Sequence, residues 1–551
     1  MSSGETTATG APTQPSVGGP PETRAEKLNT KAAGIVAVAV MCSRVLGLIR
    51  DQIFAAVFGG GLLMDAFTIA FRIPNLLRDL FAEGALSTAF VTTFTKTAAL
   101  EGDKAAWRLA DKVATLTAVV LSAITIVGIV FAPWLVGVLA PGFVGAKAEL
   151  TITLTRIMYP FILLVSLAAL VMGMLNAKNV FGVPAMASSF FNLGSILSGL
   201  LFGWLLDPHF GTRALFGFAF ATLVGGALQL GVQLPALRRA GYVFHPDFAW
   251  RDRGVKSLLR LMGPSVVAGS STQVNVLINS MFASELGNGP TFWLQAAFRL
   301  MQLPLGVFGV ALGTVSLPLL ARLAGTGNTS GFRSELARGM RMTFLLSIPS
   351  AIGLIMLAEP IMSVLFQHMN FGAHEAAEAA AALRFYAVGL CGYAALKVLV
   401  NAFYAVDKRK TPMVVSFIAI GLNLFLNWLF TIRLGWGHRG LAFATACIAT
   451  TNFLTLYFLM RRHLRYLESG AMLRLIAQLA IPSLLLAGIC WAGMHFLLAD
   501  WATQAFLPKA TALGLVICVG AGAFFISATA LGITELQEIT RAVKRRLLRR
   551  V

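Results

Sequence analysis

Val113 to Leu139 reads VATLTAVVLSAITIVGIVFAPWLVGVL, an unbroken run without a charge. An α-helix rises about 1.5 Å per residue and the hydrocarbon core of a bilayer is about 30 Å thick, so about 20 such residues cross it. The run predicts a membrane-spanning helix. Working outward, similar stretches recur near 31–58, 63–95, 150–175, 181–206, 213–237, 257–284, 291–321, 340–366, 376–405, 412–432, 439–460, 473–498 and 505–533, which makes fourteen. The stretch at 63–95 contains Pro74 and Gly84 and is expected to bend or break. Composition agrees. Hydrophobic residues make up 57 % of the 551 and charged residues 12 %, half of a soluble protein's about 25 %. The reading is an all-α polytopic membrane protein whose backbone polar groups are satisfied inside its helices.

Lys and Arg outnumber Asp and Glu by 44 to 24, a net charge of +20. In a soluble chain that excess would point to nucleic acid. Here it marks cytoplasmic loops, and no nucleic-acid partner is expected. Fourteen spans put both termini on one side. With the N-terminus inside, the cytoplasmic segments hold 31 Lys and Arg, including Arg238, Arg239, Arg251, Arg253, Lys256, Arg260, Lys408, Arg409 and Lys410. The opposite side holds five: Lys147, Arg213, Arg433, Arg439 and Lys509. Both termini are therefore expected in the cytoplasm. The five cysteines lie in apolar stretches without paired spacing, so neither a disulfide framework nor a zinc site is implied. There is no GxxxxGK[ST] phosphate loop and no evident nucleophile–base pair, so no enzyme is expected.

The chain also repeats itself. Ala70-Phe71-Arg72 recurs as Ala297-Phe298-Arg299, Tyr159 as Tyr386, Ala168-Ala169-Leu170 as Ala394-Ala395-Leu396, Pro184 as Pro412, and Ala219-Phe220-Ala221-Thr222 as Ala442-Phe443-Ala444-Thr445, in order and at a nearly constant interval. The interval is six spans, an even number. The halves should insert the same way up and be related by an axis along the membrane normal, the arrangement of transporters that rock about a central site. The expected layout is a disordered cytoplasmic tail (1–30), a first six-helix lobe (31–240), a cytoplasmic linker (241–256), a second six-helix lobe (257–465), two further helices (470–533) and a basic tail (534–551) on anionic headgroups.

Eight basic residues fall inside spans: Arg44, Arg50, Arg72, Arg78, Arg156, Arg299, Arg384 and Lys397. A charge there must face protein or water, and it marks function by default. Arg44 and Asp51 are seven apart and share a helix face, and Asp65, Arg72 and Asp79 make a stripe down the second span. Spans one, two and eight would place Arg44, Arg50, Arg72, Arg78 and Arg299 around one space whose acids are fewer than its bases. Such a space attracts anions, and arginine suits phosphate or carboxylate. Lobe-locking ion pairs, or interfacial arginines that snorkel to lipid headgroups, are the competing reading, favoured for Arg156 and Arg384 near span starts. Asn423 and Asn427 share a face of span eleven, near Thr445 of span twelve. Their oxygens could hold a small cation, or simply bond the helices together.

Ser43-Arg44-Val45-Leu46-Gly47-Leu48-Ile49-Arg50-Asp51 resembles the first-span signature of the MurJ (MviN) family, the lipid II flippases of bacterial cell-wall synthesis. Asp65-Ala66-Phe67, Pro74-Asn75-Leu76-Leu77-Arg78, Phe81-Ala82-Glu83-Gly84-Ala85 and Phe403-Tyr404 with Lys410-Thr411-Pro412 extend the likeness over about residues 30–535. The resemblance implies a multidrug/oligosaccharidyl-lipid/polysaccharide exporter fold with a V-shaped pair of lobes. It implies export of lipid II, the undecaprenyl-pyrophosphate-linked disaccharide-pentapeptide, across the bacterial inner membrane. The family's cavity charges fall here on Arg44, Arg50, Asp65, Arg78 and Arg299, supported by Asp51 and Glu83. A groove beside the last two helices would take the lipid tail. A sodium site is implied at Asn423, Asn427 and Thr445 with Asn279, and sodium or the membrane potential would drive transport. Where the family often has an acid before the arginine of span eight, this chain has Phe298, so Arg299 is expected to lack a neutralising partner. Two other readings stay open: an exporter of a different lipid-linked oligosaccharide, and a non-transporting scaffold for wall-synthesis proteins.

Overall fold

The computed structural model describes residues 24–80 and 86–537, and it is helical throughout, with no strand among the described residues. The first lobe contains α1 (Arg24–Phe58), α2 (Leu62–Arg78), α3 (Ser87–Glu101), α4 (Asp103–Val130), α5 (Ala132–Leu139), α6 (Gly145–Met158), α7 (Phe161–Ala177), α8 (Gly182–Leu206), α9 (Thr212–Gly231) and α10 (Leu234–Arg239). The second contains α11 (Arg253–Ser284), α12 (Pro290–Gly325), α13 (Thr329–Met356), α14 (Ala358–Phe366), α15 (Ala373–Val388), α16 (Leu390–Ala405), α17 (Lys410–Asn427) and α18 (Gly437–Leu464). Last come α19 (Ser469–Phe496) and α20 (Phe506–Ala530). The expected spans fall on these helices, the second on α2 and α3, with residues 81–85 between them outside the described residues. Among the described residues, nine helices are long and apolar enough to cross a membrane, or ten if α15 and α16, bent by 46°, count as one. The helices of spans one, two, seven and eight fall outside that set, and they carry the charges and amides described below. α1 already begins at Arg24, inside the stretch expected to be a tail.

Local sequence explains the breaks. Pro133 starts α5, Pro160 precedes α7 and Pro74 lies in the last turns of α2; proline has no amide N–H to continue a helix. Gly389 marks the α15–α16 bend. A Cβ there would lie 2.6 Å from the Ala446 Cα, so only glycine lets α18 come this close.

The repeat is visible as repeated contacts. Arg156 Nε donates to the Ile129 carbonyl at 3.3 Å, and Arg384 Nε to the Ile355 carbonyl at 3.4 Å. Donor and donor, and acceptor and acceptor, stand apart by the interval of the sequence repeat. Each arginine binds a carbonyl freed near the end of a broken helix in its own lobe, so neither locks the two lobes together.

One apolar core crosses both lobes. Phe54, Phe58, Phe67, Leu154 and Phe218 of the first pack with Phe292, Met301, Phe366, Leu383 and Leu441 of the second. It lies where the α1–α2 and α11–α12 turns meet. At the opposite end the cores are separate, one around Phe90, Phe94 and Leu109 and another around Phe332, Phe344 and Met460. The lobes thus share one core at one end and have distinct cores at the other, where Val255 and Leu258 at the start of α11 pack into that of the first lobe.

The α19–α20 pair packs against α13 and α14 through Leu345, Leu475, Leu486, Val516 and Phe524. Arg341 of α13 clamps it by binding Glu468 at 2.8 Å and Glu535 at 2.5 Å. Arg341→Ala leaves two part-buried carboxylates facing one another. It should cost about 2–3 kcal/mol, read as an earlier thermal transition in detergent with faster protease cleavage before α19.

Candidate functional site

Arg44, Gly47 and Asp51 recur at helical spacing on the face of α1 that meets α12. Arg299 of α12 reaches across the seam. Its Nη1 donates to the Gly47 carbonyl at 3.0 Å, and its guanidinium is ion-paired with the Asp51 carboxylate. The other oxygen of Asp51 accepts from Arg50 Nε at 3.2 Å and Nη2 at 3.0 Å. One carboxylate therefore serves two guanidinium groups. The partner missing beside Arg299 in its own helix is supplied by the other lobe, which corrects the expectation of an unneutralised arginine. Arg50 is buried among the rings of Phe54, Phe71 and Phe191, 5.4 to 5.9 Å from their centroids, where the ring faces offset part of its desolvation. Arg44 Nη1 donates to the Gln302 carbonyl at 3.2 Å. Its guanidinium lies across Gly306, where a Cβ would sit 2.0 Å from Nη1.

Arg78 pairs with Asp79 at 2.7 Å and lies near enough for its charge to act on Arg50. Lys397 of α16 is exposed and within electrostatic range of Arg44. Arg44, Arg50, Arg78, Arg299 and Lys397 are thus gathered between the lobes against Asp51 and Asp79. Arg78 and Arg299 keep 21 % and 31 % of their side-chain surface accessible, so the space they border is not packed shut. Geometry of this kind can hold a multiply charged anion with charge-assisted hydrogen bonds.

Two expected members lie elsewhere. Arg72 is in the seam, donating to Ser280 Oγ at 2.6 Å and Gln295 Oε1 at 3.1 Å. It is the repeat partner of Arg299. Each arginine leaves its own lobe to bind the other, an exchange that a two-fold relation imposes. Asp65 sits at the closed end with no accessible surface. It accepts from Lys147 Nζ at 2.9 Å and from the backbone N–H groups of Gly289 at 2.6 Å and Phe292 at 3.0 Å. It caps the N-terminus of α12, where a carboxylate is favoured. Lys147 also donates to the Gly287 carbonyl and to Asn288 Oδ1, both at 3.0 Å. Asp65 is therefore a latch between lobes, set apart from the arginine cluster because its carboxylate is already occupied by three donors. Glu83 lies outside the described residues.

Asn279, Asn423, Asn427 and Thr445 do converge. Asn427 Nδ2 donates to Asn279 Oδ1 and Asn423 Oδ1, both at 2.7 Å, and Asn279 Nδ2 to Thr445 Oγ1 at 3.4 Å. Asn423 Nδ2 donates to Asn275 Oδ1 at 2.6 Å, which adds a fourth asparagine. Within this set Asn427 Oδ1 is buried without a partner. The other amide oxygens each accept one bond within the set, so as arranged it ties α11, α17 and α18 together.

Sequence reasoning missed the roles of Lys147, Ser280, Gln295 and Asn275. Each lies more than 80 residues from its partner, and nothing local in the chain signals such pairings.

Beside α19 and α20 lies an apolar cavity of about 250 Å³, lined by Pro304, Pro349, Gly353, Leu354, Leu486, Cys490 and Phe524 among others.

The chain is similar to known proteins. Residues 54–511 match the family model described as lipid II flippase MurJ. The lipid II flippase MurJ of Burkholderia cenocepacia is 37 % identical over 468 residues, covering 84 % of this chain and 89 % of its own. The probable lipid II flippase MurJ of Vibrio cholerae is 32 % identical over 533 residues, covering 95 % and 100 %. A solved lipid II flippase MurJ in an inward closed conformation superposes with a TM-score of 0.72 at 24 % identity, over 90 % of this chain and 98 % of that one. An inward-facing multidrug resistance MATE family transporter of the MOP superfamily follows at 0.59 and 15 %, over 80 % and 95 %; both likenesses concern the fold. With its two repeat-related lobes, its arginines exchanged across the seam and relatives matched over most of its length, this multi-pass membrane chain belongs to the lipid II flippase MurJ family.

Proposed function

We propose that the protein carries lipid II from the cytoplasmic to the periplasmic leaflet of a bacterial inner membrane by alternating access. The observation that carries this reading is the interlobe cluster of Arg44, Arg50, Arg78 and Arg299, joined by Lys397, in a chain of this family. These cations bind the pyrophosphate. The sugar-peptide head occupies the space between the separately packed ends of the lobes. The joined end, latched by Asp65 and Lys147, is the periplasmic one in this conformation. Both termini and the basic loops lie in the cytoplasm, in keeping with 31 basic residues against five. Asp51, with two guanidinium groups on it, is the switch point. As pyrophosphate oxygens take over Arg299, its hold on Gly47 and Asp51 loosens and the seam can part. The net positive cluster also couples the step to the membrane potential, where one charge is worth about 2.3 kcal/mol per 100 mV. No step is assigned to a sodium ion.

The direct test is depletion of the resident flippase in a bacterium. Lipid II should then become inaccessible to an enzyme added outside, and this chain should restore access. Failure to restore it in a correctly inserted, abundant protein would refute the reading.

The cavity beside α19 and α20 takes part of the polyprenyl tail. Gly353 borders it, and a Cβ added there would meet no atom within 4 Å, so Gly353→Leu can project into the space. Each buried methylene is worth about 0.8 kcal/mol, and displacing a few should weaken lipid II binding by about tenfold or more. An unchanged thermal transition alongside the lost affinity would locate the effect in the tail.

A further inference from the structure

The segment between the lobes, residues 240–252, is not a slack connector. Its backbone is pinned to α4. His245 N donates to Asp111 Oδ1 and Asp247 N to Thr115 Oγ1, both at 3.1 Å. Tyr242 is buried against Trp107, with ring centroids 5.1 Å apart. At the far end Asp252 binds Lys112 at 2.9 Å and caps α11 through Gly254 N at 2.7 Å. Hydrogen bonding from Lys112 holds the Asp252 carboxyl below its usual range. Val255 and Leu258 then enter the first lobe's core.

So tethered, the strap has an imposed outer face. Val243 is 66 % exposed, Phe244 49 % and Phe248 65 %. Flanking them in the chain, Arg238, Arg239, Arg251, Arg253 and Lys256 are all exposed. Of the strap's two acids, Asp252 is spent on Lys112 and Asp247 accepts from the Ala249 N–H. The five cations outnumber them. A strap facing only water would gain nothing from three exposed hydrophobic side chains.

Depth identifies the occupant. α4 has 28 residues, about 42 Å of helix against about 30 Å of hydrocarbon. The strap lies along Trp107 to Thr115, the first turns of α4 and the start of its uncharged run, which is headgroup level. Aromatic and aliphatic side chains flanked by Lys and Arg match a leaflet of anionic phospholipid.

We propose that this strap is a lipid-binding anchor. Val243, Phe244 and Phe248 enter the leaflet, and the flanking arginines and Lys256 select anionic phospholipid headgroups, tying the hinge between the lobes to the membrane surface. Placing that leaflet on the cytoplasmic side rests on the orientation proposed above. The test does not, because both leaflets of a nanodisc are alike.

Full-length protein without its native cysteines, carrying Phe248→Cys labelled with a polarity-sensitive fluorophore, is placed in discs of phosphatidylcholine alone or of phosphatidylcholine mixed with phosphatidylglycerol. Bromine on the acyl chains reports depth. Quenching should be at least about twofold greater with phosphatidylglycerol, and the gain should vanish in a variant with Arg238, Arg239, Arg251, Arg253 and Lys256 all changed to Gln. A matching thermal transition confirms that the variant is folded. Equal quenching in both discs overturns the selection of anionic lipid. A label in water in both overturns the anchor altogether and leaves the patch to a protein partner. Orientation is tested separately, by labelling a cysteine placed at Lys408 in intact cells.

Discussion

Alanine at Arg299 is expected to stop lipid II export while leaving a folded protein. Asp51 keeps its pairing with Arg50 at 3.0 Å, so no buried charge is stranded. The seam loses the contacts to the Gly47 carbonyl and to Asp51, charge-assisted bonds worth about 1.5–3 kcal/mol each. The substrate loses its own contacts as well. A guanidinium on a pyrophosphate makes two charge-assisted bonds, each worth about 1.5–3 kcal/mol. Affinity should fall at least about a hundredfold, and the variant should fail to restore outside access to lipid II after depletion. Arg299→Lys keeps the charge but not the planar fork, so partial rescue is expected. Full rescue by alanine at normal abundance would remove Arg299 from the site.

Asp65→Ala should have the largest effect on stability. The carboxylate is wholly buried and accepts from one ammonium and two backbone N–H groups. Its loss strands Lys147 and uncaps α12. Breaking a buried pair from one side costs about 3–5 kcal/mol. Thermal unfolding in detergent should begin correspondingly early. The closed end should also part more often, which is readable as slower disulfide formation between Ala56→Cys and Asn370→Cys, whose backbones are hydrogen-bonded at 3.0 Å in the parent. Adding Lys147→Met to Asp65→Ala should recover part of the loss, since the stranded charge is then gone. Strict additivity of the two changes would show that they do not interact.

Arg44 and Asp51 are legible as a polar face of the first span, because helix geometry converts spacing into direction. The recurrence of Ala70-Phe71-Arg72 as Ala297-Phe298-Arg299 marks two equivalent arginines, yet it does not reveal that they exchange lobes. Asp65 and Arg72 read as members of one stripe. Seven-residue spacing places them on one side of α2, but it is silent on what that side meets at each depth. The asparagines of span eleven suggest oxygens for a cation. Asn275 and Asn279, supplied by α11, turn them into a hydrogen-bonded ladder.

From its sequence alone the chain declares that it is helical, polytopic and built from two like-oriented halves with basic residues sunk between them. These properties are local or periodic: hydrocarbon thickness sets the length of each apolar run, and a duplicated pattern recurs at a constant interval. Only the tertiary structure decides which carboxylate neutralises which arginine, that Asp51 serves both lobes, and that Lys147 closes the latch on Asp65. Coulomb and hydrogen-bond energies depend on separations of a few ångströms. Between residues far apart in the chain those separations are set by packing, which no spacing along the sequence encodes.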